Sequence, residues 1–303
     1  MKLPKALQAL VRPVRRSDPV KTAMPEHVAA APIAPLAAPA AAPAAAPASP
    51  DQENDPPPYD VGLRDAVKSG HYNNATGELY PGFAITPDDT VLDVGCGNGD
   101  KAHFCAQRGA AIIFVDCDPG QVAIASGRLA KSRARSLTPI VSDGNPLPLA
   151  DAIASKVVVS EVLEHVDDPR QFLAEMVRVG QPGALYLLTV PDPASEGLQR
   201  RLAPPVYFEK PNHIRVIEHD EFARMVTGAG LEILSRGFYG FYWAIWMLLF
   251  WPCKVELSAP NHPLLESWAN TWSALLDAPD GLRVKRAFDE TLPMGQYIIA
   301  RKA

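Results

Sequence analysis

Residues 91–100 read VLDVGCGNGD. An apolar run of strand type ends on three glycines spaced two apart, Gly95, Gly97 and Gly99, and a helical pattern, DKAHFCAQRG, follows at once. Few folds use such a junction. Glycines let the backbone turn tightly and approach a ligand, and the new helix aims its free N–H groups at the same point. The rest of the chain repeats the strand–helix rhythm. AIIFVD (111–116), TPIVSD (138–143), ASKVVVSE (154–161), GALYLLTV (183–190), LEILSRGFYG (231–240) and MGQYIIARK (294–302) read as strands. PGQVAIASGRLAK (119–131), DPRQFLAEMVRVG (168–180) and HDEFARMVTGAG (219–230) read as helices between them. That alternation predicts an α/β fold with a parallel sheet covered by helices on both faces.

Residues 24–58 belong to another regime. VAAAPIAPLAAPAAAPAAAPASP is almost entirely Ala and Pro, a composition that favours an extended, semi-rigid, disordered linker. Before it, residues 1–23 form a tail in which KALQALVRPVRR has the pattern of a short basic amphipathic helix or of a disordered segment. Charge follows the same division. Residues 1–21 carry a formal +5 and the remainder −10, for a net −5. An acidic body suits neither DNA nor RNA, so no nucleic-acid partner is expected, whereas the basic tail suits an anionic lipid surface. The four cysteines form no C-x-x-C pair, so no metal site is expected and a reducing compartment is. The location expected is cytoplasmic, with peripheral contact to the inner face of a membrane through residues 1–21 or 241–251.

The glycine turn admits two ligands. A nicotinamide dinucleotide fold wants G-x-G-x-x-G, but the third glycine position here is Asp100. Asp93, inside the strand, would also set a negative charge against a pyrophosphate. A ligand with an ammonium and a sulfonium suits that charge better. The chain resembles the class I S-adenosylmethionine-dependent methyltransferases over most of residues 60–303, best over 90–190, and in particular the type 11 small-molecule group. VLDVGCGNGD is similar to that family's D-x-G-x-G-x-G motif. The resemblance implies S-adenosyl-L-methionine as cofactor and a Rossmann-like, mostly parallel seven-stranded sheet with an antiparallel last strand. It also assigns binding roles along the chain. Asp93, Gly95, Gly97 and Gly99 form the loop. Asp116, in FVDCDP, accepts from the ribose hydroxyls. Asp143, beside Gly144 in VSDGNPLPLAD, accepts from the adenine amino group. Glu161, in SEVLEHVDDP, lines the methionine end. Other roles remain for these acids: helix capping for Asp116, turn formation for Asp143, a polar strand end for Glu161.

Methyl transfer from a sulfonium is mainly a matter of positioning, but an oxygen acceptor also needs its proton removed. His165 and His213 are the candidate bases, and a loop-fixing role is the alternative for each. His71 and Tyr72 are candidates for covering the cofactor. On the family pattern a short hairpin joins the last two strands, whereas here residues 240–293 lie between them. This apolar helical insertion departs from the carboxyl edge of the sheet, where ligands bind, and belongs to a methyltransferase domain expected over 59–303. Its run FYWAIWMLLFW (241–251) carries no charge. As a helix it would span about 16 Å, against about 30 Å of hydrocarbon, too short to cross a membrane. It is expected to cap a substrate pocket, to pack in a core or dimer contact, or to enter a membrane surface. HPLLESWANTWSALLDAP reads as a second helix with Leu264, Leu265, Trp268, Trp272, Leu275 and Leu276 on one face. The function expected is methylation of a small, apolar or lipid-like acceptor at oxygen. The alternatives are methylation of a sugar or glycan, and a non-catalytic cofactor-binding scaffold at a membrane.

Overall fold

The computed structural model describes residues 60–303 apart from Ser258. The basic tail and the Pro/Ala linker lie outside the described residues. The described chain opens with α1 (Val61–Lys68) and a small hairpin, β1 (Glu78–Tyr80) and β2 (Phe83–Ala84). The alternating region follows: β3 (Thr90–Val94), α2 (Asp100–Ala106), β4 (Ala111–Asp116), α3 (Pro119–Leu129), β5 (Ser136–Val141), β6 (Ala154–Ser160), α4 (Pro169–Val179), β7 (Gly180–Pro191) and α5 (Pro193–Gln199). Then come α6 (His219–Gly228), β8 (Leu231–Tyr239), α7 (Phe241–Cys253), α8 (Pro263–Asp277), α9 (Gly281–Thr291) and β9 (Gly295–Lys302).

Seven strands form one sheet in the order β5-β4-β3-β6-β7-β9-β8. The pairings from β5 to β7 are parallel, and β9 runs antiparallel between β7 and β8. The expected Rossmann-like sheet with its antiparallel last strand is therefore present. Strand periodicity divides the core. Leu92, Val94, Val157 and Val159 face α4 and α6 with Phe172, Met176 and Phe222. Val91, Ile112, Phe114 and Val158 face the opposite layer with Phe104 and Leu129. Central strands covered on both faces read as continuous apolar runs. At the edge, β5 is largely exposed and tolerates Pro139. Asp-Pro dipeptides start three of the helices. Asp118, Asp168 and Asp192 accept from backbone N–H groups of the first turns, and Pro119, Pro169 and Pro193 occupy the position where no N–H is needed.

The insertion between β8 and β9 contains three helices, one more than the apolar pattern suggested. Amphipathic α9 carries little apolar sequence and is legible only beside its partners. Helix α7 buries Tyr242, Trp246, Met247 and Phe250 against Leu265, Trp272 and Leu276 of α8 and Val61 of α1, while Trp243 stays 40% exposed. Leu264 departs from the expected α8 face: it is exposed, being in the first turn beyond the reach of α7. Among the described residues no helix is long and apolar enough to cross a membrane.

A buried charge fastens this cap. Lys285 Nζ, 1% exposed, lies 3.1 Å from Asp65 Oδ1 and 2.6 Å from Asp289 Oδ2. Asp65 also accepts from Trp272 Nε1 at 2.8 Å, and Asp289 from the Phe241 N–H at 2.9 Å. Burial raises the pKa of Asp65 against the pull of Lys285. Replacing Lys285 with Met would leave two carboxylates buried without a cation, at a cost of about 3–5 kcal/mol. The midpoint of urea unfolding of Lys285→Met should fall accordingly, and an unchanged midpoint would show that the network carries no stability.

Candidate functional site

The glycine turn joins β3 to α2. Gly95, Gly97 and Gly99 have φ of 71°, 50° and 81°, a region costly for any residue with a side chain. At Gly95 a Cβ would also lie 2.3 Å from Val162 Cγ2, whereas at Gly97 it would meet nothing within 4 Å. The inner side of the loop is thus packed and its outer side open to a ligand. Asp116, at the end of β4, accepts from Gly97 N–H through Oδ2 at 2.9 Å and from Asp118 N–H through Oδ1 at 3.0 Å. Capping of α3 falls to Asp118, which accepts from Gly120 N–H. Each Asp116 oxygen keeps acceptor capacity, as a ribose diol requires. Asp143 is exposed beyond β5 and accepts from Asn145 N–H at 3.1 Å, a turn bond on one oxygen only. Gly144 has φ of 80°, and a Cβ there would sit 2.6 Å from the Phe172 ring.

Asp93 is 3% exposed beneath the loop. Burial pushes its pKa up to about 6, with Lys101 opposing and Asp116 and Asp100 reinforcing. Burial works against the charge on Lys101, but Tyr72, Tyr80, Asp93 and Glu161 around it win, and its pKa is raised. The donor set fits S-adenosyl-L-methionine: an open glycine loop, a diol acceptor, and buried acids for the cationic end.

Beside the loop lies a cavity of about 990 Å³, lined among others by Tyr72, Lys101, Glu161, Tyr239, Trp243 and Met247. Trp243 and Met247 of helix α7 line one side of it. Glu161 follows β6 with φ of 55°, a strained conformation for a non-glycine residue. Its Oε1 accepts from Thr189 Oγ1 at 2.7 Å and Tyr239 Oη at 2.9 Å, and no hydrogen bond from the described residues reaches Oε2. Burial first, then the Glu161 charge, holds the Tyr239 pKa well above the ordinary value, so its hydroxyl stays a donor. His71 lines the same cavity, stacked on Tyr80 at 3.8 Å, and burial lowers its pKa to about 3. It is therefore a neutral wall.

His165 and His213 come together, with ring centroids 5.0 Å apart, but neither lines the cavity. They meet Glu164 and Glu196 on the far side of Glu161. The sequence reading missed Lys101, Tyr80 and Tyr239. A lysine in a first helical turn, where the helix dipole disfavours cations, was the available signal for Lys101. The bond from Tyr239 to Glu161 joins residues 78 apart, and no local pattern announces it.

Residues 92–188 match the family model described as a methyltransferase domain. A demethylmenaquinone methyltransferase of Renibacterium salmoninarum is 30% identical over 127 residues, 42% of this chain and 51% of that protein. Methyltransferase GfsG of Streptomyces halstedii is 31% identical over 168 residues, covering 53% of this chain and 59% of its own length. The chain thus spans about half the length of the curated relatives it matches. A solved geranyl diphosphate methyltransferase in complex with S-adenosylmethionine superposes with a TM-score of 0.51 at 16% identity, over 80% of this chain and 86% of the other, a likeness of fold.

Asp116→Ala should weaken S-adenosyl-L-methionine binding about 10–100-fold in calorimetry, the loss of hydrogen bonds to a charged acceptor. Affinity should also rise with pH as Asp93 ionises through about 6. The sign follows from charge, since the anion attracts the cationic cofactor. The same raised pKa means that Asp93 contributes less to folding as pH climbs from 3.8 through about 6. Titrations between about pH 5 and about pH 7 should show the rise in the parent and a flat profile in Asp93→Asn.

Proposed function

We propose that this chain, a class I S-adenosylmethionine-dependent methyltransferase by its fold and its residues 92–188, methylates an oxygen of a small, apolar or lipid-like acceptor in the cavity under α7. The single observation that carries the reading is Glu161, a carboxylate with one oxygen tied by Tyr239 and Thr189 and the other toward a cavity roofed by Trp243 and Met247. S-adenosyl-L-methionine supplies an activated methyl group on a sulfonium. The chain's own residues do the rest. Asp116 and the glycine loop hold the nucleoside, and Asp143 is proposed to accept from the adenine. Lys101 is placed to meet the cofactor's carboxylate. Glu161 Oε2 would serve as base for the acceptor's hydroxyl proton, and the bound cofactor would supply the methyl group. Helices α1 and α7 exclude water. His165 and His213, away from the cavity, take no proton in this scheme.

The apolar roof supports an acceptor with an apolar body, in keeping with the quinone named for one relative. A sugar acceptor is the second reading, supported by the hydroxyls of Tyr72, Tyr80 and Tyr239 along the same wall. A cytoplasmic location with membrane contact through residues 1–21 goes with the lipid-like reading.

Methyl-labelled cofactor and host extract, followed by phase partition, test it. Label in the organic phase is expected, and label confined to the aqueous phase would favour the sugar reading. Glu161→Gln should lower turnover about 10²–10⁴-fold, the range for loss of a general base. Trp243→Ser should raise the KM for the acceptor, whereas Trp246→Ser, inside the helical cluster, should destabilise the fold. Full turnover by Glu161→Gln would remove the proposed base.

A further inference from the structure

Four ionisable side chains from three separate segments converge behind Glu161. Glu164 and His165 come from the turn after β6, Glu196 from α5, and His213 from the stretch before α6. Glu164 and Glu196 are each 1% exposed, and among the described residues no hydrogen-bond partner reaches any of their four carboxylate oxygens. Among the same residues Gln199, fully buried one turn beyond Glu196, finds no partner for either amide atom, and His213 Nδ1 makes no hydrogen bond. Burying such a group without a partner is costly, and more so if it is charged. A cluster this unsatisfied calls for a further partner, and two imidazoles among carboxylates make a cation the best match. The charges felt by Glu164 are the carboxylates of Glu161 and Glu196, with no lysine or arginine among them.

The geometry points to a binding site for one divalent transition-metal ion, held by Glu164, His165 and His213 and completed by Glu196. Donor atoms of the first three already lie within 4.8 Å of one another. His213 Nδ1 is 3.2 Å from Glu196 Oε2, and His165 Nε2 is 3.7 Å from Glu164 Oε1. Donors on a tetrahedral ion with bonds of about 2.1 Å stand about 3.4 Å apart, so these three must draw together by up to about 1.4 Å, and Glu196, which lies outside that group but touches His213, must follow. His165 is set for ligation in another respect. Its Nδ1 lies 3.0 Å from the Pro211 carbonyl oxygen, which can only accept, so the proton sits on Nδ1 and Nε2 is free to bind. Two imidazoles with two carboxylates suit zinc, manganese or ferrous iron rather than magnesium or calcium. The absent cysteine pairs excluded only a thiolate site. Tyr207 meets His213 with the rings tilted by 41° and centroids 4.9 Å apart, and meets Trp251 of α7 edge-on at 5.0 Å, which links the cap to this cluster. The ion would staple three segments of the carboxyl edge and stand outside the methyl-transfer step.

The test uses the full chain, purified without a metal-affinity column. Metal content by mass spectrometry and calorimetry with zinc and manganese chlorides after chelator dialysis should give one ion per chain. Metal at about a hundredfold excess over Kd should raise Tm by roughly 5–10 °C. His213→Ala and Glu196→Gln should each weaken binding by more than about 100-fold, beyond what a change outside the ligand set produces. If His213→Ala does not fold, Glu196→Gln and His165→Gln carry the comparison. The cobalt form should show a visible spectrum of nitrogen and oxygen ligation that Glu164→Gln alters. No stoichiometric metal, or binding indifferent to these substitutions, would overturn the site. S-adenosyl-L-methionine affinity, measured in parallel, separates that failure from a failure of the methyltransferase reading.

Discussion

One buried ammonium holds the roof to the floor. Lys285 cannot leave water without both of its carboxylates, and those belong to α1 and to α9 itself. Through Asp65 and Trp272 the contact reaches α8, and through Asp289 and the Phe241 N–H it sets the start of α7. The position of Trp243 over the cavity follows from that start. A Cβ at Gly62 would fall 2.2 Å from the Trp243 ring, so α1 and α7 meet as closely as backbone and indole allow. Arg64 adds hydrogen bonds to Ser273 and Asp277 at the rim. The pocket is therefore walled by two parts of the chain that a plain strand–helix fold would leave apart.

The carboxyl edge beneath is strongly acidic. Asp93 and Glu161 act on Lys101, Asp116 and Asp100 act on Asp93, Arg128 pairs with Asp100, and behind them stand Glu164 and Glu196. Such a field favours a ligand that brings positive charge. At Asp93 burial withdraws the water that would otherwise stabilise the carboxylate. The hydroxyls of Tyr239 and Thr189 fix Glu161 in a strained backbone conformation that few surroundings would tolerate.

The fold was legible because its signals are local. Apolar strands, the glycine turn and the Asp-Pro helix starts each lie within a few residues, and they set the order and direction of the sheet. The glycine loop, Asp116 and Asp143 could be singled out as candidates for the same reason, as each sits at a strand end. The acceptor side was not. Tyr239 and Glu161 meet only through the sheet, and Lys101 owes its role to tyrosines from the β1 region. His165 and His213, the candidate bases of the sequence, lie together and away from the cavity, and which face of the strand end they serve depends on α5 and on the loop at 209–218. Hydrophobicity identified α7 as buried; what covers it depended on α8, α9 and α1, whose mutual contacts leave no mark in a linear pattern.

Asp65 and Trp272 are separated by 207 positions. During synthesis at about 5–20 residues per second, α1 leaves the ribosome roughly 10–40 s before the helix it needs. Throughout that interval the apolar side of α1 and the Asp65 carboxylate have no permanent neighbour, while the glycine loop and its strands are already made. The glycine loop and its strands are thus made early, and the cavity beside them closes only as the last quarter of the polypeptide arrives.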